Sequence, residues 1–127
     1  MSYYFSKKSP LGFEDAIEKV TDALKSEGFG ILSKIDVRET LKTKLDVDFH
    51  SYIILGACNP PFAYQALQVE DKIGIMLPCN VIVQEKENGS EISAVDPVAS
   101  MQAIDNPKLG EIAGEIRKRL QRVIDSL

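Results

Sequence analysis

Apolar residues recur with two different periods along this chain, and the changes of period divide it into helices and strands. Four of them follow at intervals of four, three and four residues, which predicts an amphipathic helix that ends at Gly28. These four are Phe13, Ile17, Val20 and Leu24. A longer stripe of the same kind predicts a C-terminal helix over about 107–126. Its members are Leu109, Ile112, Ala113, Ile116, Leu120, Val123 and Leu127.

Shorter apolar runs predict strands between these helices. The predicted strands are 3–7, 29–35, 51–57, 81–87 and 90–95. The run 51–57 is apolar at both alternating positions, which predicts a central strand covered on both faces. Asp36 and Asn59 each have the form of a helix cap, so short helices are expected after both. The stretch 73–78 is rich in glycine and proline, and we interpret it as a buried connection.

Asn88 and Gly89 predict a two-residue hairpin turn between the last two strands. Such a turn would set Lys86 opposite Glu91, an opposite-charge pair that suits a solvated face. The other face of the hairpin then carries Cys79, Val81, Val83, Ile92 and Ala94. We therefore expect Cys79 to point toward the covered side of the sheet.

Length and composition predict one domain over residues 1–127. The chain is 44% hydrophobic and 27% charged, and it contains no apolar run near the ~20 residues of a spanning helix. Its start does not resemble a secretory signal, so we expect a cytoplasmic protein without membrane contact. The formal net charge of −4 argues against nucleic-acid binding, which needs a basic surface. Four cations near the C-terminus are expected on a solvated helix face: Arg117, Lys118, Arg119 and Arg122.

Two cysteines stand at mirror-image positions. Cys58 closes one apolar run and Cys79 opens the next, so antiparallel neighbours would bring both thiols to one corner of a sheet. Cys58 also precedes a predicted helix N-terminus, which favours a thiolate and a lowered pKa. Against this, Pro60 and Pro61 supply no N–H groups there. The alternative is that both cysteines are small buried core residues.

If the two thiols share a corner, they form a reversible disulfide, bind a metal or cofactor, or remain inert neighbours. In the cytoplasm cysteines are mostly reduced, and their spacing here matches no zinc pattern. His50 lies eight residues before Cys58, roughly 26 Å along one extended strand, so it is expected to have an ordinary surface role. Tyr64 is a candidate for lining a pocket between sheet and helix. No common catalytic motif is present, and enzymatic activity is left open.

Several segments, taken in order, resemble the bacterial and archaeal family named "domain of unknown function 302". They are Glu27-Gly28-Phe29-Gly30, Ile35-Asp36-Val37 with Thr40-Leu41-Lys42, Cys58-Asn59-Pro60 with Ala63-Tyr64-Gln65-Ala66-Leu67, Leu77-Pro78-Cys79-Asn80-Val81, and Ser93-Ala94-Val95-Asp96-Pro97. The resemblance spans about 12–104. It implies an α+β fold of β-α-β-β-β-β-α order, TATA-binding-protein-like, with a curved antiparallel sheet and extra short helices in the connections. It also implies a homodimer, and it implies no activity.

The hypothesis from the sequence is a small cytoplasmic domain that binds a metal or a small ligand, or performs thiol chemistry. The candidate site is bordered by Cys58, Asn59, Cys79, Asn80 and Tyr64, and the two cysteines are the candidate metal ligands. The alternative hypothesis is a structural or protein-interaction module in which both cysteines are inert.

Overall fold

The structure is a computed structural model that describes residues 2–127. Its strands are β1 (Tyr4–Ser9), β2 (Gly30–Asp36), β3 (Tyr52–Cys58), β4 (Cys79–Lys86) and β5 (Gly89–Val95). Its helices are α1 (Phe13–Ser26), α2 (Val37–Leu45), α3 (Pro60–Val69), α4 (Pro97–Ser100) and α5 (Pro107–Asp125), with a 3₁₀ turn at Ile73–Met76. The predicted α+β class, with short helices in the connections, is confirmed.

Within the described residues the strands form one antiparallel sheet in the order β1-β5-β4-β3-β2. Helices α1 and α5 pack against one face, which we call the covered face; it carries Leu55, Val81, Val83, Ile92 and Ala94. The opposite, open face carries Tyr52, Ile54, Asn80, Ile82 and Gln84, all partly or fully exposed. The prediction that 51–57 is covered on both faces is therefore wrong, because Tyr52 and Ile54 on the open face are partly exposed.

Helix α1 ends and helix α2 begins at the residues that the sequence predicts. After α1, Gly28 adopts a left-handed φ of 88°, and the N–H of Phe29 donates to the carbonyl of Leu24 at 2.9 Å. At the start of α2, the N–H of Glu39 donates to the carboxylate of Asp36 at 2.9 Å.

The hairpin between β4 and β5 has a different register from the predicted one. Its turn is at 87–88, so Lys86 lies opposite Gly89 and Glu91 lies opposite Gln84; the predicted Lys86–Glu91 pair is wrong. Gly89 has a φ of 138°, and a Cβ there would meet the carbonyl oxygen of Ser9. This glycine therefore permits a close approach between β5 and the end of β1, outside the turn itself.

The register error shifts each pairing by two residues, so it leaves the assignment of faces unchanged. Val83 lies opposite Ile92 and Val81 opposite Ala94, and all four are buried. Cys79 lies on the same covered face, as predicted.

The connection from α3 to β4 is less buried than predicted. Ile73 is fully buried, but Ile75 and Met76 of the same 3₁₀ turn are exposed. The buried-connection prediction is wrong at Ile75 and Met76, because a turn of this kind points successive side chains in different directions. The Leu77–Pro78 peptide that follows is cis and leads directly into Cys79.

Three of the four C-terminal cations contact other side chains of the protein. The prediction of a solvated helix face does not include these contacts. Arg117 donates from Nε to the buried carboxylate of Asp96 at 3.1 Å. Arg122 forms an ion pair with Glu27 at 2.8 Å, which lowers the pKa of that carboxyl. The guanidinium of Arg119 lies 5.1 Å from the ring centre of Phe62.

Among residues 2–127, the structure contains no helix with both the length and the apolar character required to cross a lipid bilayer.

Candidate functional site

The register of the sheet brings the two cysteines to the same end of neighbouring strands. Cys79, the first residue of β4, pairs with Ala57, and the next residue of β3 is Cys58. Cys58 itself pairs with Gly30 of β2, so the cysteines are offset by one residue along the ladder. Both thiols are free.

Both cysteines line one internal cavity at this corner, between the sheet, α3 and α5. The cavity has a volume of about 20 Å³, which is enough for about one water molecule. Four of its lining residues carry sulfur or an amide: Cys58, Asn59, Cys79 and Met101. The other lining residues are Phe29, Ala57, Ala63, Ala66, Leu77, Pro78, Leu109, Ile112 and Ile116. The site is therefore small, and its walls are mostly hydrocarbon.

The environment keeps both thiols protonated at neutral pH. Cys79 is 5% exposed, and burial together with the nearby charge of Cys58 raises its pKa from the ordinary 9.0 to about 11. Cys58 is half-buried, and burial raises its pKa as well. The expectation that a helix N-terminus lowers the pKa of Cys58 is wrong. Pro60 and Pro61, which open α3, have no N–H to offer a thiolate, and desolvation by burial raises the pKa of Cys58.

Asn59 occupies the N-cap position of α3, as predicted, but its side chain has another partner. Its Nδ2 donates to the carbonyl of Glu27 at 3.2 Å, at the end of α1. A Cβ on Gly28 would lie 3.0 Å from the same nitrogen, so the glycine allows this close contact. The buried Asn59 thus ties the start of α3, beside Cys58, to the end of α1.

The structure brings together three of the five candidate site residues and separates the other two. Asn80 follows Cys79 but lies on the open face, in a groove that Tyr4 and Tyr52 also line. Tyr64 lies on α3 and is 65% exposed, away from the cavity lining. Of the five candidate residues, three line the cavity: Cys58, Asn59 and Cys79.

His50 lies on the surface before β3, in agreement with the expected surface role. Its Nε2 lies 3.1 Å from Oε1 of Gln84, and its ring centre lies 4.2 Å from that of Phe49. These contacts are toward the open face, whereas the cysteine cavity lies at the far end of β3.

Met101 is the cavity residue that the sequence did not suggest. It follows α4, packs with Ala66, Ile73 and Leu109, and is 6% exposed. No motif connects it to either cysteine, because it lies 22 residues beyond Cys79 and only the fold brings it near. Among the described residues, the structure places no group of three or more His, Cys, Asp or Glu side chains where they could hold a metal ion.

Comparison with known proteins identifies the family. The curated proteins include no match. A crystal structure described as "uncharacterized conserved protein DUF302 from Bacillus stearothermophilus" is 32% identical, covers 98% of each chain and superposes with a TM-score of 0.91. The model of the family "Domain of unknown function DUF302" matches residues 5–127, which include both cysteines and α5. The chain therefore belongs to the DUF302 family, whose function is unassigned.

Proposed function

We propose that this DUF302 domain binds one soft monovalent metal cation, such as Cu(I), between the sulfur atoms of Cys58 and Cys79. The observation that carries this proposal is that both cysteines line one cavity of about 20 Å³. Pockets for small organic ligands are about 300–1,000 Å³, so a single ion suits this space better than a metabolite does.

The chemistry of the two donors favours a soft ion. Cysteine thiolates select soft metals such as Cu(I), whereas a structural zinc site needs four protein ligands in a tetrahedron. A monovalent soft ion is satisfied by two or three sulfur ligands. The hydrocarbon walls around Cys58 and Cys79 favour such a low coordination number, because they leave little room for added water.

The protonation of the thiols makes binding dependent on pH. Because burial raises the pKa of both thiols, an incoming ion displaces up to two protons. Its affinity should therefore increase as the pH rises from neutral toward 9. The same raised pKa values slow thiol–disulfide exchange at neutral pH, because the thiolate is the nucleophile as well as the metal ligand.

The test is an anaerobic titration of reduced protein with Cu(I) against a competing chromophoric chelator. We expect one ion per chain in the wild type, and loss of that binding in Cys58→Ser and Cys79→Ser. Asn80→Ser is the matched control, because it changes the next residue of β4 on the opposite face. Circular dichroism checks that each variant folds.

Two outcomes would contradict the proposal. Binding that survives in both cysteine variants would place the metal elsewhere. A folded wild type that binds no Cu(I), and whose two thiols react slowly with a labelling reagent, would favour the structural module with inert cysteines.

We also propose that the domain acts as a cytoplasmic homodimer. The cytoplasm keeps thiols reduced, as the site requires. A second copy on the open face is supported by the exposed apolar side chains there, which include Tyr4 and Ile35. Light scattering should give twice the mass of one chain, and Ile35→Glu should give the monomer. A monomeric wild type at high concentration would contradict the dimer.

A further inference from the structure

We infer that the thioether of Met101 is a third sulfur ligand, which makes the cavity selective for Cu(I) over Zn(II). This inference rests on the proposed function. Met101 lines the same cavity as Cys58 and Cys79 and is buried. The three sulfur-bearing residues come from separate parts of the fold: the end of β3, the start of β4 and the turn after α4.

The backbone that carries Met101 is held by a buried carboxylate. Asp96 accepts a hydrogen bond from the N–H of Val98 at 3.0 Å, at the start of α4, and another from Nε of Arg117 at 3.1 Å. The N–H of Met101 then donates to the carbonyl of Pro97 at 3.0 Å. Asp96 thus fixes the one-turn helix that precedes Met101, so this residue is positioned before any ion binds.

The thioether changes which ion the site prefers. It is soft and uncharged, so it strengthens binding of Cu(I) without adding a proton to displace or a second buried charge. Zn(II) gains little from a thioether and still lacks a fourth ligand among these hydrocarbon walls. A Cys₂Met set therefore favours the monovalent ion.

Methionine also serves as a flexible core filler, and Met76 allows the two roles to be separated. Met76 belongs to the 3₁₀ turn, is 39% exposed and lines a surface groove on the other side of Cys79. It is close to the site in sequence and space, but it lies outside the cavity lining. Met76→Leu is therefore the matched control for Met101→Leu, which keeps the side-chain volume almost unchanged.

The experiment measures Cu(I) and Zn(II) affinities of wild type, Met101→Leu and Met76→Leu by chelator competition. Mutating residues that only orient the ligands of a metal typically lowers the metal affinity by about 10–100-fold. Loss of a direct ligand in Met101→Leu should therefore weaken Cu(I) binding by about tenfold or more. Its Zn(II) affinity should be unchanged, and Met76→Leu should match the wild type for both ions. X-ray absorption of the copper-loaded wild type should show three sulfur neighbours, and this result does not depend on any variant folding.

The possible failures are distinguishable. A wild type that binds Cu(I) through two sulfur atoms, with Met101→Leu equal to it, would overturn the role of Met101 and leave the cysteine site intact. A wild type that binds no Cu(I) would overturn the cysteine site itself, and the inference with it.

Discussion

Cys79 and Asn80 are neighbours in β4, yet they belong to two regions with opposite properties. Cys79 is buried on the covered face and borders a cavity, whereas Asn80 is exposed on the open face. Side chains alternate along a strand, so one motif contributes to both faces of the sheet. Residues that are adjacent in sequence therefore need not share a site, and Asn80 lies apart from the cavity that Cys79 borders.

The largest expected difference between the faces is in packing energy. Leu55 is fully buried on the covered face, and its β3 neighbour Ile54 is half-exposed on the open face. We expect Leu55→Ala to lower the free energy of unfolding by about 2–5 kcal/mol, because it leaves a cavity in the core. Ile54→Ala should cost about 1 kcal/mol. Urea denaturation at low protein concentration, where copies do not associate, measures both; equal losses would mean that the faces do not differ energetically.

The second expected difference concerns polarity at the cavity. Cys79→Ser places a hydroxyl among hydrocarbon walls and should cost about 1–3 kcal/mol of unfolding free energy. Cys79→Ala should cost less than this serine variant, since it adds no polar group. Asn80→Ser, one residue further on the exposed side, should stay within about 0.5 kcal/mol of wild type. A serine at 79 that is tolerated as well as one at 80 would show that the cavity is hydrated.

The sequence predicts the faces of the sheet better than it predicts the partners across it. Alternation places Cys79 correctly, because an error of two residues in the hairpin does not change which way a side chain points. The predicted turn position is wrong because Asn88-Gly89 is a strong turn signal. In the structure, Gly89 instead allows a close contact with Ser9 of a distant strand. Such a contact between strands far apart in sequence has no local signature.

The candidate site was predictable only in its local parts. Neighbouring strands bring together Cys58, Asn59 and Cys79. The order of the apolar runs along the chain already predicts that these two strands are neighbours. Tyr64 lies outside this cavity, although Ala63 and Ala66 on the same helix line it. A helix turns by about 100° per residue, so close neighbours on α3 point in different directions. Met101 reaches the cavity through the packing of α4 and α5, and the sequence alone does not contain that information.

The smallest expected effect is the response of the covered face to alkaline pH. The thiol of Cys79 has its ordinary pKa of 9.0 in the unfolded chain and a pKa of about 11 in the folded one. Between these values the unfolded state binds fewer protons than the folded state, so stability decreases as the pH rises. We expect this residue to lower the free energy of unfolding by on the order of 2 kcal/mol as the pH rises from 8 to 11.

Stability depends on alkaline pH for other reasons as well, so the effect must be measured as a difference between two proteins. Cys79→Ala lacks the thiol, and its stability should therefore decrease less than that of wild type over the same pH interval. Urea denaturation of both proteins at several pH values gives this difference. Parallel pH profiles would mean that the Cys79 thiol ionises as easily in the folded protein as in water, and a cavity wall with that property would be wet rather than apolar.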